Sequence, residues 1–201
     1  MMDAQGRELL WARKAGANRL PVGDPPVAWL RPAGTDPADA ARLTEWRNRF
    51  VTAFLTEFEA TEACTVRWLA ETVTPDDTRI LFMLDLPDSR TVGYLGLAFI
   101  NWEAGRGEAD AVVRGAEAPG GLMTTALRTM LDWAHGPLGL GELGVRVRSD
   151  NPALAFYEKA GFHEKQRVPL RCTTSPGLLA WVEDPVVADD KLSLVHMTWT
   201  G

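Results

Sequence analysis

Apolar positions recur along this chain with two different periods, and the switches between them mark its elements. Val27–Pro32 alternates and predicts a first strand. Asp36-Pro37 sets a capping carboxylate and a helix-compatible proline in the favoured order. Ala40, Leu43, Trp46, Phe50 and Phe54 then recur every three or four residues, one face of a helix over Ala38–Phe54. Thr61–Thr72 predicts a second helix, with Val66, Leu69 and Val73 apolar. Arg79–Leu86 is apolar without alternation, the pattern of a strand buried on both faces. Pro87–Arg90 turns the chain into an antiparallel return strand, Thr91–Trp102. Gly105-Arg106-Gly107 makes a further turn, Glu108–Arg114 the next strand, Gly115–Gly120 a loop and Gly121–His135 a helix. Glu142–Ser149 alternates again as a strand. It runs into Ser149-Asp150-Asn151-Pro152, where Asp150 or Asn151 caps a short helix, Ala153–Ala160, that Gly161 stops. His163–Leu170 predicts a strand, Cys172–Asp190 is loop-rich, and Lys191–Trp199 alternates as a final strand. Residues 1–26 read as an N-terminal extension ending in the turn Val22–Pro26.

This order predicts an α/β (α+β) fold, a mixed sheet of about seven strands flanked by helices. A chain of 201 residues with 46% hydrophobic and 24% charged residues fits one soluble globular domain that needs no disulfide. The cysteines, Cys64 and Cys172, match no metal-ligand spacing, and His135, His163 and His196 stand apart, so no metal is expected. Reduced cysteines point to a cytoplasmic setting. Met1–Leu20 carries charges throughout and lacks the apolar stretch of a signal peptide. No apolar run approaches the ~18 residues of a membrane span. A net charge of −6 argues against nucleic-acid or anionic-membrane partners, which need a basic face. It does not argue against a small amine.

Three groups carry candidate chemistry. Tyr157 lies in the short helix after Asn151-Pro152; a tyrosine of ordinary pKa, ~10, holds a proton at neutral pH and can donate it. The plain alternative is a tyrosine packed in the core. Glu108 and Asp110 are two apart on one strand and share a face, so either can accept an amine proton, unless both are solvated or ion-paired. Ala111–Thr125, AVVRGAEAPGGLMTT, runs from strand through a glycine-containing loop into a helix start. The open amides and dipole of such a start hold a pyrophosphate without basic side chains.

The run Glu142–Phe162, ELGVRVRSDNPALAFYEKAGF, together with the upstream loop, resembles the GNAT acyltransferase superfamily, most specifically over Val112–Phe162 and more loosely over Val27–Leu170. The resemblance implies a single GNAT-like domain with a mostly antiparallel sheet. Residues 27–170 would be the acyltransferase core, and residues 171–201 would complete the sheet. It implies acetyl-CoA as cofactor, with the pantetheine arm along Val112, Val113 and Arg114, the pyrophosphate on Gly120, Gly121, Leu122, Met123, Thr124 and Thr125, and further contacts from Asn151, Ala155 and Tyr157. The family pattern Arg/Gln-x-x-Gly-x-Gly/Ala is broken here. Aligning Ala126-Leu127 with the family's small-Leu pair sets Leu122 and Thr124 at its two glycines. Tyr157 matches the family's general acid, with Asp110 or Glu108 left as the base. The triplet Trp46-Arg47-Asn48 resembles relatives that acetylate sugar amines or ribosomal protein N-termini, which makes it a candidate acceptor wall; core packing is the alternative. The expected activity is N-acetylation of a small-molecule amine, an amino sugar or natural-product intermediate. A protein or peptide N-acetyltransferase and an idle CoA-binding module stay open. The last strand, apolar on both faces and expected at an edge, predicts a homodimer through the C-terminal region.

Overall fold

The protein is described by a computed structural model over residues 2–16, 18–186 and 191–201. In chain order its elements are α1 (Met2–Lys14), β1 (Leu20–Val22), β2 (Ala28–Pro32), α2 (Pro37–Arg49), β3 (Thr56–Glu57), α3 (Glu62–Trp68), β4 (Ile80–Asp85), β5 (Thr91–Asn101), β6 (Arg106–Arg114), α4 (Leu122–His135), β7 (Glu142–Arg148), α5 (Leu154–Ala160), β8 (Phe162–Ser175), β9 (Leu178–Glu183) and β10 (Ser193–Trp199). The strands run β1-β2-β4-β5-β6-β7-β10-β8-β9-β3 across a mixed sheet. Among the described residues only β6 and β7 pair in parallel.

Local chemistry sets the element ends. The Asp36 carboxylate accepts from the amides of Ala38 and Asp39, with Pro37 opening α2. Thr61 caps α3, which continues through a π-helical turn at Leu69–Val73. Gly161 ends α5 in the left-handed region at φ +101°. β4 is buried on both faces, as its unbroken apolar run predicts. Ile80, Phe82 and Leu84 enter the larger core under α4, while Leu81 and Met83 enter a second core under α2 and α3. In β7, Leu143, Val145 and Val147 lie in the α4 core, so its even-numbered residues take the opposite face, the one that Glu108 and Asp110 share.

The sheet of the described residues has ten strands, three more than expected. β1 arises in the N-terminal stretch and pairs with β2; ahead of it, α1 buries Leu10 completely. Lys14 Nζ donates to the carbonyls of Val73, at 2.6 Å, and of Asp76, capping the C-terminal end of α3 and its π turn. Short β3 and β9 form where the sequence reads as loop. β8 runs on past Leu170, so that its first half pairs with β10 and its second half with β9. Positions 187–190 of the predicted loop lie outside the described residues. Three expectations are overturned: α2 ends at Arg49 rather than running to Phe54, α5 has Ala153 at its N-cap with no side-chain cap, and β10 is not an edge. β10 pairs with β7 on one side and β8 on the other; Val195 and Met197 enter the core under α4, while His196 and Thr198 line a groove on the opposite face. With no open edge there, β10 gives no reason to expect a dimer.

Candidate active site

The site follows from a failure of two parallel strands to stay paired. β6 and β7 are in register from Arg106↔Glu142 to Ala109↔Val145 and then separate. A β-bulge causes it. Between Val113 and Asp110 β6 advances three residues while β5, from Tyr94 to Gly96, advances two. The extra residue is Ala111, with φ +50°, a left-handed geometry costly for a residue bearing a Cβ. The bulge bends β6 away from β7 and leaves the β7-facing edge of residues 110–114 without strand partners.

A cavity of about 590 Å³ fills the splay, floored by Asp110–Arg114 and Arg146–Arg148 and walled by Phe50, Phe54, Asn151 and Tyr157. A second, of about 300 Å³, shares Val112, Arg114 and Ala153 with it and reaches the start of α4. Gly121 caps α4 in the left-handed region at φ +79°. Leu122 N–H bonds Pro119 O and Thr125 N–H bonds Gly121 O. The amides of Met123 and Thr124 have no backbone partner among the described residues, and both residues line the second cavity. Leu122, at the position of a family glycine, turns into the core at 4% exposure, so its side chain does not fill the loop. Thr125 bonds its hydroxyl back to Gly121, while Gly120 and Ala155 are exposed and line neither cavity. Val113 is buried in the second core, and Arg114 lines both cavities.

Tyr157 is 7% exposed, its ring edge-on to Phe156 and Phe162. Its hydroxyl has no protein hydrogen-bond partner among the described residues. Burial, reinforced by the charge of nearby Asp110, raises its pKa above the ordinary value. Asp110 is exposed to the open cleft, where protein crowds one side of its carboxylate, and it has no ion pair among the described residues. Desolvation on that side raises its pKa too, against the opposing Ala111 amide and the charges of Arg79 and Arg146. Glu108 differs: it bonds Arg146 Nε at 2.6 Å and lines a neighbouring groove rather than the cleft.

The triplet of α2 is not assembled into the cleft. Trp46 is 4% exposed and stacks on Tyr94 with centroids 6.2 Å apart. Asn48 bonds both the amide and the carbonyl of Ala60. Arg47 lies between the rings of Phe54 and Phe58 and donates to Thr56 O. These residues support the wall rather than form it. Four successive wall carbonyls are each captured from a different element: Ala53 by Asn151 Nδ2 (3.2 Å), Phe54 by Arg148 (3.3 Å), Leu55 by the Trp181 amide (2.8 Å) and Thr56 by Arg47 (2.8 Å). Glu57 completes the clasp, accepting from Arg148 and Trp181 Nε1, both at 3.1 Å. Sequence reading missed Glu57, Arg148 and Trp181. The alternation of Arg146 and Arg148 on one strand face was the available signal for Arg148; Glu57 and Trp181, distant in sequence, gave none.

A splayed parallel pair in a mostly antiparallel sheet, a bulged strand with an open edge, and a glycine-capped helix start facing the same cleft define a CoA-dependent acyltransferase fold. The acetyltransferase (GNAT) domain family matches residues 28–163, and the chain belongs to that family. Acetyl-CoA is the donor. Among solved structures, the chain is similar to spermidine N-acetyltransferase from Vibrio cholerae in complex with CoA and spermine. Identity is 16%, over 85% of this chain and 94% of that one, with a TM-score of 0.68. It is also similar to a dodecameric form of the Vibrio cholerae enzyme, at 18% identity over 85% and 92% of the chains, with a TM-score of 0.61. These identities establish a shared fold. No curated protein matches the chain. Among the described residues no helix is long and apolar enough to cross a membrane, and no cluster of metal-ligating side chains occurs.

Proposed function

We propose that the protein transfers the acetyl group of acetyl-CoA to the amine of a small molecule, an amino sugar or a natural-product intermediate, with Asp110 and Tyr157 as its proton-handling pair. The observation that carries this is the placement of both groups in the one cleft that the splayed strands open. Bound acetyl-CoA supplies the activated acetyl group. The open edge of residues 110–114 offers hydrogen bonds to an extended chain, and the free Met123 and Thr124 amides at the positive end of α4 suit a pyrophosphate. Arg114, lining both cavities, adds a cation between them. Asp110 Oδ accepts the proton that the amine must lose before attack, and Tyr157 Oη delivers one to the departing sulfur. The raised pKa of each group fits its role. Asp110 is a better base than a solvated carboxylate, and Tyr157 stays protonated through the physiological range. Retention of both groups speaks against an idle CoA-binding module. Homodimerisation through β10 is not proposed, since that strand is covered on both sides.

The test is calorimetry with acetyl-CoA, followed by thiol release with glucosamine and mass spectrometry of the product. Saturable binding and an acetylated amine support the reading. Acetyl-CoA that binds at no concentration up to the millimolar range removes it.

A further inference from the structure

Beside the splay, on the same sheet face, lies a second groove of about 550 Å³, within the ~300–1,000 Å³ of small-molecule sites. It shares Val145 and Arg146 with the cleft, so the two join at the residues flanking Asp110. Its wall holds an aromatic side chain that folding alone does not favour. Phe99 stands at a second bulge, where β5 advances three residues from Ala98 to Asn101 while β6 advances two. Its φ is +53°, and 52% of its surface is exposed. A phenylalanine there carries both the left-handed strain of a residue with a Cβ and the cost of wetted apolar surface. The ring faces the groove with the Arg146 guanidinium 4.6 Å from its centroid.

The groove's charges select among amines. Its carboxylates are already matched: Glu108 by Arg146 at 2.6 Å, and Glu142 by Lys165 at 3.3 Å. With Arg106 added, three permanent cations line the groove against two carboxylates. A polyamine, with an ammonium at every nitrogen near neutral pH, meets net repulsion along this surface. The groove instead offers Asn101, Gln166 and Thr198 as neutral hydrogen-bonding groups. The unpaired carboxylate at the junction, Asp110, suits a single amine.

We infer that this groove holds the body of the acceptor, that Phe99 is the platform on which its apolar face stacks, and that the acceptor is a hydroxyl-rich molecule with one amine rather than a polyamine. The inference rests on the transferase reading above and adds the acceptor class and its subsite. An aromatic platform opposite convergent polar groups recognises a pyranose, whose ring C–H groups form an apolar face and whose rim carries hydroxyls.

The test compares initial rates with glucosamine and with spermidine at saturating acetyl-CoA, in the wild type and in Phe99→Gly, Phe99→Tyr and Lys165→Glu. Glycine accepts the left-handed geometry, so Phe99→Gly folds and melts no lower than the wild type. It raises KM for glucosamine about tenfold, the scale of one lost aromatic contact, and leaves the affinity for acetyl-CoA unchanged. Phe99→Tyr restores KM. Lys165→Glu frees Glu142, adds a carboxylate and raises kcat/KM for spermidine. A wild type that prefers spermidine, an unchanged glucosamine KM in Phe99→Gly, or an enzyme that binds acetyl-CoA yet never acetylates glucosamine overturns the inference and leaves the transferase reading standing. Failure to bind acetyl-CoA at all removes both.

Discussion

Replacing Tyr157 by Phe removes one hydroxyl and keeps the ring. The ring's edge contacts with Phe156 and Phe162, at centroid distances of 5.1 Å and 5.7 Å, survive the change. No protein hydrogen bond is lost, so stability changes by well under about 1 kcal/mol and Tm by less than about 4 °C. A general acid contributes about 10²–10⁴-fold to a rate. Burial and the Asp110 charge make this hydroxyl a weaker acid than a solvated phenol, and a thiolate is already a fair leaving group. Both facts set the loss in kcat near the lower end, about 10²-fold or ~2.7 kcal/mol in the transition state. The assay is thiol release at saturating acetyl-CoA and acceptor, beside calorimetry of acetyl-CoA with each protein. Affinity should be nearly equal, since the hydroxyl acts in the transition state. The raised pKa also predicts that wild-type kcat does not fall between about pH 8 and 10, because the unperturbed value of ~10 is itself exceeded. A folded Tyr157→Phe protein that binds acetyl-CoA and turns over at the wild-type rate refutes the proton-donor role and leaves only core packing.

Asp110 carries two opposed consequences. Its raised pKa means that the folded state holds this proton more tightly than the unfolded chain, so its stabilising contribution is present at low pH and is lost as pH rises through the folded value. Asp110→Asn is therefore expected to gain stability at pH 7, to lose that gain at about pH 4 or below, and to turn over more slowly; denaturant melts at the two pH values and the pH–rate profile check this. A Cβ at Gly115 would sit 2.0 Å from the Trp46 ring, so Gly115→Ala should destabilise by about 1–3 kcal/mol through overpacking, read as a Tm drop of roughly 2–12 °C. An unchanged Tm would mean that Trp46 is free to move and is not a core residue. Glu57→Gln weakens the clasp on the cleft wall; because Glu57 is partly exposed, the expected cost is about 1 kcal/mol, with faster hydrogen exchange at the amides of residues 53–57. Wild-type exchange there would show that Arg148 and Trp181 hold the wall without the carboxylate.

Most elements and the candidate proton-handling residues were legible in the chain alone, because the signals for them are local. The Asp36-Pro37 start, the unbroken apolar run at Ile80–Asp85 and the Gly161 stop of α5 are short-range statements about capping, burial and backbone preference. The resemblance over Val112–Phe162 singled out Tyr157, and the spacing of Glu108 and Asp110 placed both on one face. Distant partners decided the rest. In sequence only its alanine neighbours and its place nearer the glycine-containing loop favour Asp110 over Glu108, until Arg146, from the neighbouring strand, takes Glu108 and leaves Asp110 in the cleft. Trp46 looks like an acceptor wall until Tyr94 stacks against it and Gly115 lets it in. The last strand looks like an edge until the order β7-β10-β8 gives it two neighbours. Phe99 looks like one more apolar position of a strand until a bulge turns it out to solvent. Each of these depends on register and on which strand lies beside which. Those are set by the summed packing of segments tens of residues apart, which no local pattern encodes.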